Sequence, residues 1–320
     1  MRANWDGTDP TATSPTTASQ GLTNYVTIRE VALRDGLQIE KPVPLAAKLE
    51  LLAAIAATGV REVEATAFVS PTLVPAMADC AELAAALSDY PDIEFSALVA
   101  SPNGARRALA AGFRSIEYVV SASEGHSQAN VGRSSVQTAA AISEIAAIAH
   151  DGDCRVEVII STAWDCPFDG PTPPDRTLEV VQAACDRGAD RIAIADTIGT
   201  ATPGRVTELI DRVRPLIGER PLGAHFHNTR GVGLACAWAA VTAGVRRLDS
   251  SIGGLGGCPF APGATGNIAT EDLVYLLTDS GMQVDIKLSA AIDAARVARD
   301  IVGHELPGAL LRSGDRIRSA

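Results

Sequence analysis

The stretch RIAIADTIGTATPGRVTELIDRVRPLIGERPLGAHFH, residues 191–227, runs from a β-rich segment through a helical one into a second β-rich segment. The first segment is Arg191–Asp196. Thr202-Pro203 then opens a helix, with proline near the first turn, where its missing N–H costs nothing. The second β-rich segment, Leu222–His227, ends on two histidines. The same alternation recurs outward from this unit. Further strand candidates are Tyr25–Glu30, Glu62–Ala67, Glu94–Ala100, Ser115–Ser121, Arg155–Ala163 and Arg247–Ile252, with helical segments between them. Leu45, Leu49, Leu52 and Ala56 give one helix an apolar stripe, closed by Gly59. Eight strand–helix units in succession predict a (β/α)8 TIM barrel rather than a doubly wound open sheet. No GxGxxG follows the first strand and no P-loop occurs, which removes support from nucleotide-binding open sheets. A last amphipathic helix, about Leu288–Val302, is expected as a short C-terminal helical extension on the barrel exterior.

The chain has 320 residues, and a single barrel needs about 250 plus extensions. Residues 1–22, rich in Thr, Ser, Ala and Pro, read as a disordered leader, 23–303 as one catalytic barrel domain, and 304–320 as a loose polar tail. The leader lacks an apolar core and carries acids with one Arg, so neither a secretory signal nor a transit peptide is expected. Hydrophobic residues make up 47% of the chain and aromatics only 4%, so the core must be built from Ala, Val, Leu and Ile. A net charge of −11 argues against nucleic acid or an anionic membrane as partner. An anionic small substrate stays open, because a local Arg or metal can overrule the global field. No apolar run approaches a membrane span. Six scattered cysteines without CxxC pairs read as reduced thiols of a cytoplasmic protein.

Barrel enzymes gather their chemistry at the C-terminal ends of the strands. The first strand is followed by Arg34-Asp35-Gly36-Leu37-Gln38, which alone is also compatible with a surface ion pair. Glu64 sits inside the apolar second strand, where an unpaired carboxylate is costly, so Arg34 on the neighbouring strand is its expected partner. Ser123 after strand 4, and Asp196 and Thr197 after strand 6, are site candidates or ordinary caps and turns. In strand 7, alternation turns Ala224 and Phe226 toward the helices, and His225 and His227 toward the barrel axis, close enough to share one metal. Strand 8 leads into Gly253-Gly254-Leu255-Gly256-Gly257-Cys258-Pro259, expected to be a mobile glycine loop carrying a poised thiol. Asn267 either caps the next helix or offers its carbonyl oxygen to the metal. A mixed O/N site of Asp35, His225, His227 and Asn267 suits Mg2+ or Mn2+.

REVALRDGLQIEK, EATAFVSP, SASE, ADTIGTATP, HFHNTRG, DSSIGGLGGCPFAPGATGN and ATEDLVYLL occur in this order. Together they resemble the 3-hydroxy-3-methylglutaryl-CoA (HMG-CoA) lyase family of the DRE-TIM metallolyases, over about residues 25–302. The resemblance implies Asp35, His225, His227 and Asn267 as metal ligands and Arg34 as the group that stabilises an enolate. It implies Glu64 as that network's supporting carboxylate, Cys258 as the proton-transfer residue, and Gln38, Ser123, Asp196 and Thr197 as lining groups. The implied reaction is a retro-aldol (Claisen-type) cleavage of an acyl-CoA substrate to acetyl-CoA and acetoacetate, as in leucine degradation and ketone-body formation. In it His225 or Asp35 takes the hydroxyl proton of a metal-chelated 3-hydroxyl. A homodimer is implied as well. Asn228 after HxH, with Arg230 nearby, and Trp164 after strand 5 depart from the family pattern and leave the acyl pocket open to related substrates such as citramalyl-CoA. The glycine loop with Cys258 separates a lyase from a condensing synthase, and Asp196-Thr197 replaces the metal-bridging lysine of a biotin-linked carboxyltransferase. A non-catalytic acyl-CoA-binding barrel would have been favoured by loss of a metal ligand or of Cys258, and all are present.

Overall fold

A strand whose side chains alternate must satisfy two environments, and here one faces a helix layer while the other faces the inside of a closed sheet. The computed structural model describes residues 24–257 and 266–316. Its eight parallel strands are β1 (Thr27–Glu30), β2 (Glu62–Phe68), β3 (Glu94–Val99), β4 (Ser115–Ser121), β5 (Arg155–Ser161), β6 (Arg191–Asp196), β7 (Leu222–Phe226) and β8 (Arg247–Ser250). They pair in sequence order and β8 closes on β1, giving a (β/α)8 barrel. The helices are α1 (Leu45–Ala56), α2 (Cys80–Ala85), α3 (Pro102–Ala110), α4 (Glu124–Val131), α5 (Ser135–Ala140), α6 (Ile142–Asp151), α7 (Pro174–Asp186), α8 (Pro203–Ile217), α9 (Gly233–Thr242), α10 (Thr270–Asp279), α11 (Leu288–Val302) and α12 (Ala309–Ser313). None is long and apolar enough to cross a membrane.

Several expected boundaries move for local reasons. The run expected to reach Ala163 stops at Ser161, because Thr162 takes a left-handed backbone (φ 52°). Tyr25 makes only an isolated bridge to Gln283, so β1 begins later than expected. Helix α1 is rotated from the predicted stripe: its buried residues are Lys48, Leu51, Leu52 and Ile55, while Leu45, Leu49 and Ala56 are half-buried. Lys48 stays inside because its ammonium donates to the Ala76 carbonyl (2.6 Å) and Asp79 (2.5 Å). Residues 304–316 are not loose. Leu306 and Leu311 are buried, Gly308 N–H donates to the Gly253 carbonyl, and Asp272 accepts from the Ala309 and Leu310 amides. The leader expected over residues 1–22 lies outside the described residues.

The main core lies between sheet and helices and is built from Ala, Val, Leu and Ile, as the composition requires. The barrel interior is different. A small apolar cluster of Ile159, Ala193 and Ala195, flanked by Val119, fills part of it. Charge fills much of the rest. Arg29, 1% exposed, donates to both oxygens of Asp249 (2.9 and 2.7 Å), to Glu157 (2.6 Å) and to Glu117. Arg247 joins Glu157 to Glu62, and Ser96 donates to Glu117 (2.5 Å). Three arginine-bridged carboxylates from β4, β5 and β8 thus tie distant strands together. A buried pair is costly to break, because removing one partner leaves an uncompensated charge, roughly 3–5 kcal/mol.

Candidate active site and metal centre

Register places the site. Arg29 pairs with Asp249 across β1 and β8, and Asp249 pairs with His225 across β8 and β7. Residues at one level of a barrel point the same way, so the three side chains form a row. Asp249 accepts from Arg29 on one side and contacts His225 Nδ1 (3.2 Å) on the other. Arg29 holds the Asp249 carboxyl well below the usual carboxylate range despite its burial. With Nδ1 engaged by a carboxylate, Nε2 is the His225 nitrogen left to face a cation, the arrangement that orients metal-bound histidines.

Asp35 meets these histidines from β1's end. Ala32–Gly36 form a single π-helical turn, a conformation that widens a helix and recurs at functional sites. The turn presents Arg34 and Asp35 together, with Arg34 Nη1 donating to Asp35 (2.8 Å) and Gln38 (3.2 Å) and Arg34 Nε paired with Glu64 (2.6 Å). The expected Arg34–Glu64 partnership is therefore present. Burial and the adjoining Glu117 push Glu64 well above its ordinary range, whereas Arg29 holds Glu117 low against its own burial, and the two carboxyls titrate as one pair.

Asp35, His225 and His227 each bring a ligand atom to within 4.8 Å of the others. Burial alone would raise Asp35, but Arg34, both imidazoles and the Asn267 amide outweigh it and hold the carboxyl at about 2. Burial, aided by His225, pushes His227 down to about 4, so its ring is neutral and has a lone pair to offer near neutral pH. Asn267 is not the cap of the next helix, which begins at Thr270 with Ala269 as its cap residue; it forms a β-bridge with His227. Its Nδ2 donates to Asp35 (2.8 Å) and the Leu255 carbonyl (3.1 Å), while its Oδ1 is buried without a hydrogen-bond partner. An ionised carboxylate, two imidazoles and an orphaned amide oxygen are a donor set that fits a hard divalent cation.

These groups face a cavity of about 130 Å³ lined by Arg34, Asp35, Gln38, Thr197, His225, His227 and Asp249, with Gly257 at its rim. A larger cleft of about 540 Å³ over the ends of β2–β4 shares Arg34 and Gln38 with it and carries Arg107 and Arg133. Ser123 and Asp196 stand behind the wall instead of lining it. Ser123 contacts Thr162 Oγ1, and Asp196 accepts from the Thr200 and Ala201 amides (3.0 and 2.9 Å), the turn role that the sequence also allowed. Thr197 lines the cavity and its hydroxyl accepts from Thr162 N–H (2.8 Å). Trp164 is not among the residues that line either space. It packs on Phe226 (ring centroids 5.8 Å apart) and donates to the Arg205 carbonyl. Asn228 accepts from Gly233 N–H at the start of α9, and Arg230 donates to the carbonyls of Ile198 and Gly199.

The glycine loop, expected to be mobile, is held at its root by hydrogen bonds, and residues 258–265 lie outside the described residues. Glu30 accepts from the Ile252 amide (3.0 Å), Glu271 accepts from the Gly253 amide (2.9 Å), and Leu255 is fully buried. Gly256 passes so close to Asn267 that a Cβ there would lie 2.7 Å from its amide nitrogen, at a φ of +123°. Cys258 lies outside the described residues. Sequence reasoning missed Asp249, Glu117 and His126, all of which reach the site or its support. Glu117 carries the signal that singled out Glu64, a lone acid in a largely apolar strand, whereas Asp249 stands in the polar strand RLDS and has no such signal.

Residues 25–298 match the model of the family described as HMGL-like. The cytoplasmic 3-hydroxy-3-methylglutaryl-CoA lyase of Mus musculus is 38% identical over 275 residues, 86% of this chain and 80% of that protein. The (R)-citramalyl-CoA lyase of Chloroflexus aurantiacus is also 38% identical, over 300 residues, covering 90% of this chain and 95% of that one. The solved HMG-CoA lyase from Acenitobacter baumannii, in complex with coenzyme A and 3-methylmalate, superposes with a TM-score of 0.89 at 36% identity, covering 94% and 99% of the two chains. Barrel, clustered ligands and relatives agree, and the chain belongs to the HMGL-like family of carbon–carbon lyases.

Proposed function

We propose that this protein is a divalent-metal-dependent lyase that cleaves 3-hydroxy-3-methylglutaryl-CoA to acetyl-CoA and acetoacetate. The observation that carries the reading is the Asp35–His225–His227 cluster set beside Arg34 in one cavity. Mg2+ or Mn2+ held by these residues and Asn267 would polarise the substrate's 3-hydroxyl and lower its pKa. Asp249 keeps His225 turned toward that cation, which leaves Asp35, of the two candidate bases, to accept the hydroxyl proton. As the O–H pair becomes the new C=O, the bond between C2 and C3 breaks and its electrons move onto the thioester. Arg34, fixed by Glu64, stands where the resulting enolate charge needs a cation. Cys258, at the end of the glycine loop, returns a proton to the enolate carbon to complete acetyl-CoA. The larger cleft suits the coenzyme, with Arg107 and Arg133 available to phosphates.

A second substrate, (R)-citramalyl-CoA, is favoured by the equal identity of its lyase over a longer stretch of chain. Its cleavage breaks the corresponding bond and releases pyruvate instead of acetoacetate. The test is acetyl-CoA release by purified protein from a panel of 3-hydroxyacyl-CoAs in Mg2+, with and without EDTA. Release that EDTA abolishes is expected. No release from any member overturns the lyase reading, and release from citramalyl-CoA alone overturns the HMG-CoA assignment. Cys258→Ala should lose most turnover with metal binding intact, and unchanged turnover would remove its assigned role.

A further inference from the structure

The metal cavity and the larger cleft meet at four residues: Arg34, Gln38, Val119 and Asn130 line both. A ligand with its head at the Asp35–His225–His227 cluster and its tail in the cleft crosses at this point. Three of the four already have a part in the fold or the site. Val119 is apolar and flanks the cluster of Ile159, Ala193 and Ala195 inside the barrel. Arg34 is held by Glu64 and Asp35. Gln38 turns its carbonyl oxygen to Arg34 Nη1 (3.2 Å), because a guanidinium only donates, and has its amide N–H groups left to offer. Asn130 differs. It is exposed at the junction, and its side chain has no hydrogen-bond partner among the described residues.

The helix that carries Asn130 is fixed in place. Asn130 stands in the last turn of α4, which Gly132 closes in a left-handed conformation (φ 65°), its N–H donating to the Gln128 carbonyl (3.0 Å). Glu124, in the first turn, accepts from the Gln128 amide (2.9 Å) and from Ser135 N–H at the start of α5 (3.0 Å). Ser127 is fully buried with its hydroxyl 3.3 Å from that of Thr138 on α5, and Tyr118 of β4 donates to the Thr138 carbonyl (3.1 Å). A free carboxamide thus projects from a backbone locked to α5 and β4, so that binding through it requires little further ordering.

With Arg34 as the cation for the enolate, the thioester of the substrate lies at this junction. In a coenzyme A thioester the next polar group, two methylenes beyond the sulfur, is a secondary amide with one N–H and one C=O. A primary carboxamide is its complement, since Oδ1 accepts and Nδ2 donates. We infer that Asn130 binds this cysteamine amide by that pair of hydrogen bonds and so sets the depth at which the thioester stops beside Arg34. The inference rests on the lyase reading above and holds for either of its two substrates, because both carry the same coenzyme. The amide leaves water against a wall that includes Ala67, Val69, Leu98 and Val119, and its two polar groups need partners there. Asn130 supplies both without adding a charge that would compete for Arg34. It is a substrate-binding residue in this scheme.

The test compares wild type with Asn130→Ala and the near-isosteric Asn130→Leu on three thioesters of the acyl group that the wild type cleaves. The first is the coenzyme A thioester. The second is the N-acetylcysteamine thioester, which keeps the amide in question and nothing further of the coenzyme. The third is the S-pentyl thioester, of the same length without an amide. The two short thioesters are also read as inhibitors of acyl-CoA turnover, so that slow cleavage does not hide binding. Losing two neutral hydrogen bonds corresponds to about 5- to 100-fold. Both variants should lose that much on the coenzyme A and N-acetylcysteamine thioesters, while Asn130→Ala stays within about 3-fold of wild type on the pentyl thioester. An unchanged ratio of N-acetylcysteamine to pentyl thioester in both variants overturns the inference. Unchanged values throughout would leave Asn130 a solvated surface residue, and equal losses on all three would make its role structural or place it on the acyl group. Thermal midpoints are measured alongside and should match wild type, because the side chain is exposed. If the wild type cleaves no acyl-CoA, the lyase reading fails without reference to Asn130.

Discussion

Arg29 in the barrel interior meets three carboxylates, whereas Asn267 at the mouth, just as deeply buried, keeps an amide oxygen without a partner. Both regions are polar and shielded from water. In the first, the arginines and carboxylates of β1, β4, β5 and β8 bond to one another, and most of their burial is compensated within the protein, although one Glu117 oxygen lacks a hydrogen-bond partner. In the second, Asp35, His225 and His227 bring ligand atoms to within 4.8 Å of one another, and the Asn267 amide oxygen beside them has no hydrogen-bond partner. The lesson is that burial alone does not mark a site; what matters is whether the buried groups are already satisfied. Asp249 belongs to both regions, accepting from Arg29 and orienting His225.

The largest effect should come from the satisfied region. Arg29→Met leaves Glu117, Glu157 and Asp249 facing one another, and should lower unfolding free energy by about 3–5 kcal/mol or prevent folding, as read by urea titration. A nearly wild-type midpoint would break the comparison. At the mouth the pattern should reverse. His227→Ala should weaken Mg2+ or Mn2+ binding by more than about 100-fold in calorimetry while changing stability without metal by less than about 1 kcal/mol. An apo-protein destabilised as strongly as Arg29→Met would show that the histidine is structural. Asp249→Asn tests the joint between the two regions. It should reduce metal affinity about 10- to 100-fold and also cost stability, because Arg29 loses its bidentate partner. A change in only one of these readouts would place Asp249 in one region alone.

The smallest effect concerns the root of the glycine loop. Burial raises Glu30 to about 7 and Glu271 to about 8, above their values in an unfolded chain. A carboxyl whose folded pKa is raised contributes stability that is fully present below about pH 4.5 and lost as pH rises through 7 to 8. Thermal midpoints should therefore fall between pH 5 and pH 9. Glu271→Gln, which keeps the shape and removes the charge, should flatten much of that fall, roughly 1–3 kcal/mol at the alkaline end. A variant with the wild-type slope would show that Glu271 is ionised across the range.

The eight strand–helix units were legible in the sequence because alternation along a strand and apolar recurrence along a helix are local. The pair of inward histidines was legible for the same reason, since residues i and i+2 on a strand share a face. Helix α1 shows where that reasoning fails. The buried stripe passes through Lys48 rather than Leu45 and Leu49, because the Ala76 carbonyl and Asp79 receive its ammonium, and neither is near it in sequence. The polar tail is buried for the same kind of reason, since Leu306 finds its partner beneath the loop after β8, at Gly253, and Leu311 is buried on α12, which packs on α10 and α11. His126 gave no local signal at all: a histidine after a glycine at a helix start reads as solvated until β4 and β5 are placed against it.

By itself, the sequence determined the barrel, the strand ends on which chemistry falls, and the identity of the residues that could bind a hard cation. These follow from periodicities of two and 3.6 residues and from side-chain chemistry, which need no knowledge of neighbours. The tertiary structure decided which polar groups satisfy one another. Arg29 reaches Glu117, Glu157 and Asp249 across 88, 128 and 220 residues of chain, and Asn267 reaches Asp35 across 232. Whether a buried charge is paired or left facing a cavity depends on closure of the barrel, and closure sets β8 against β1 at a separation no local pattern encodes.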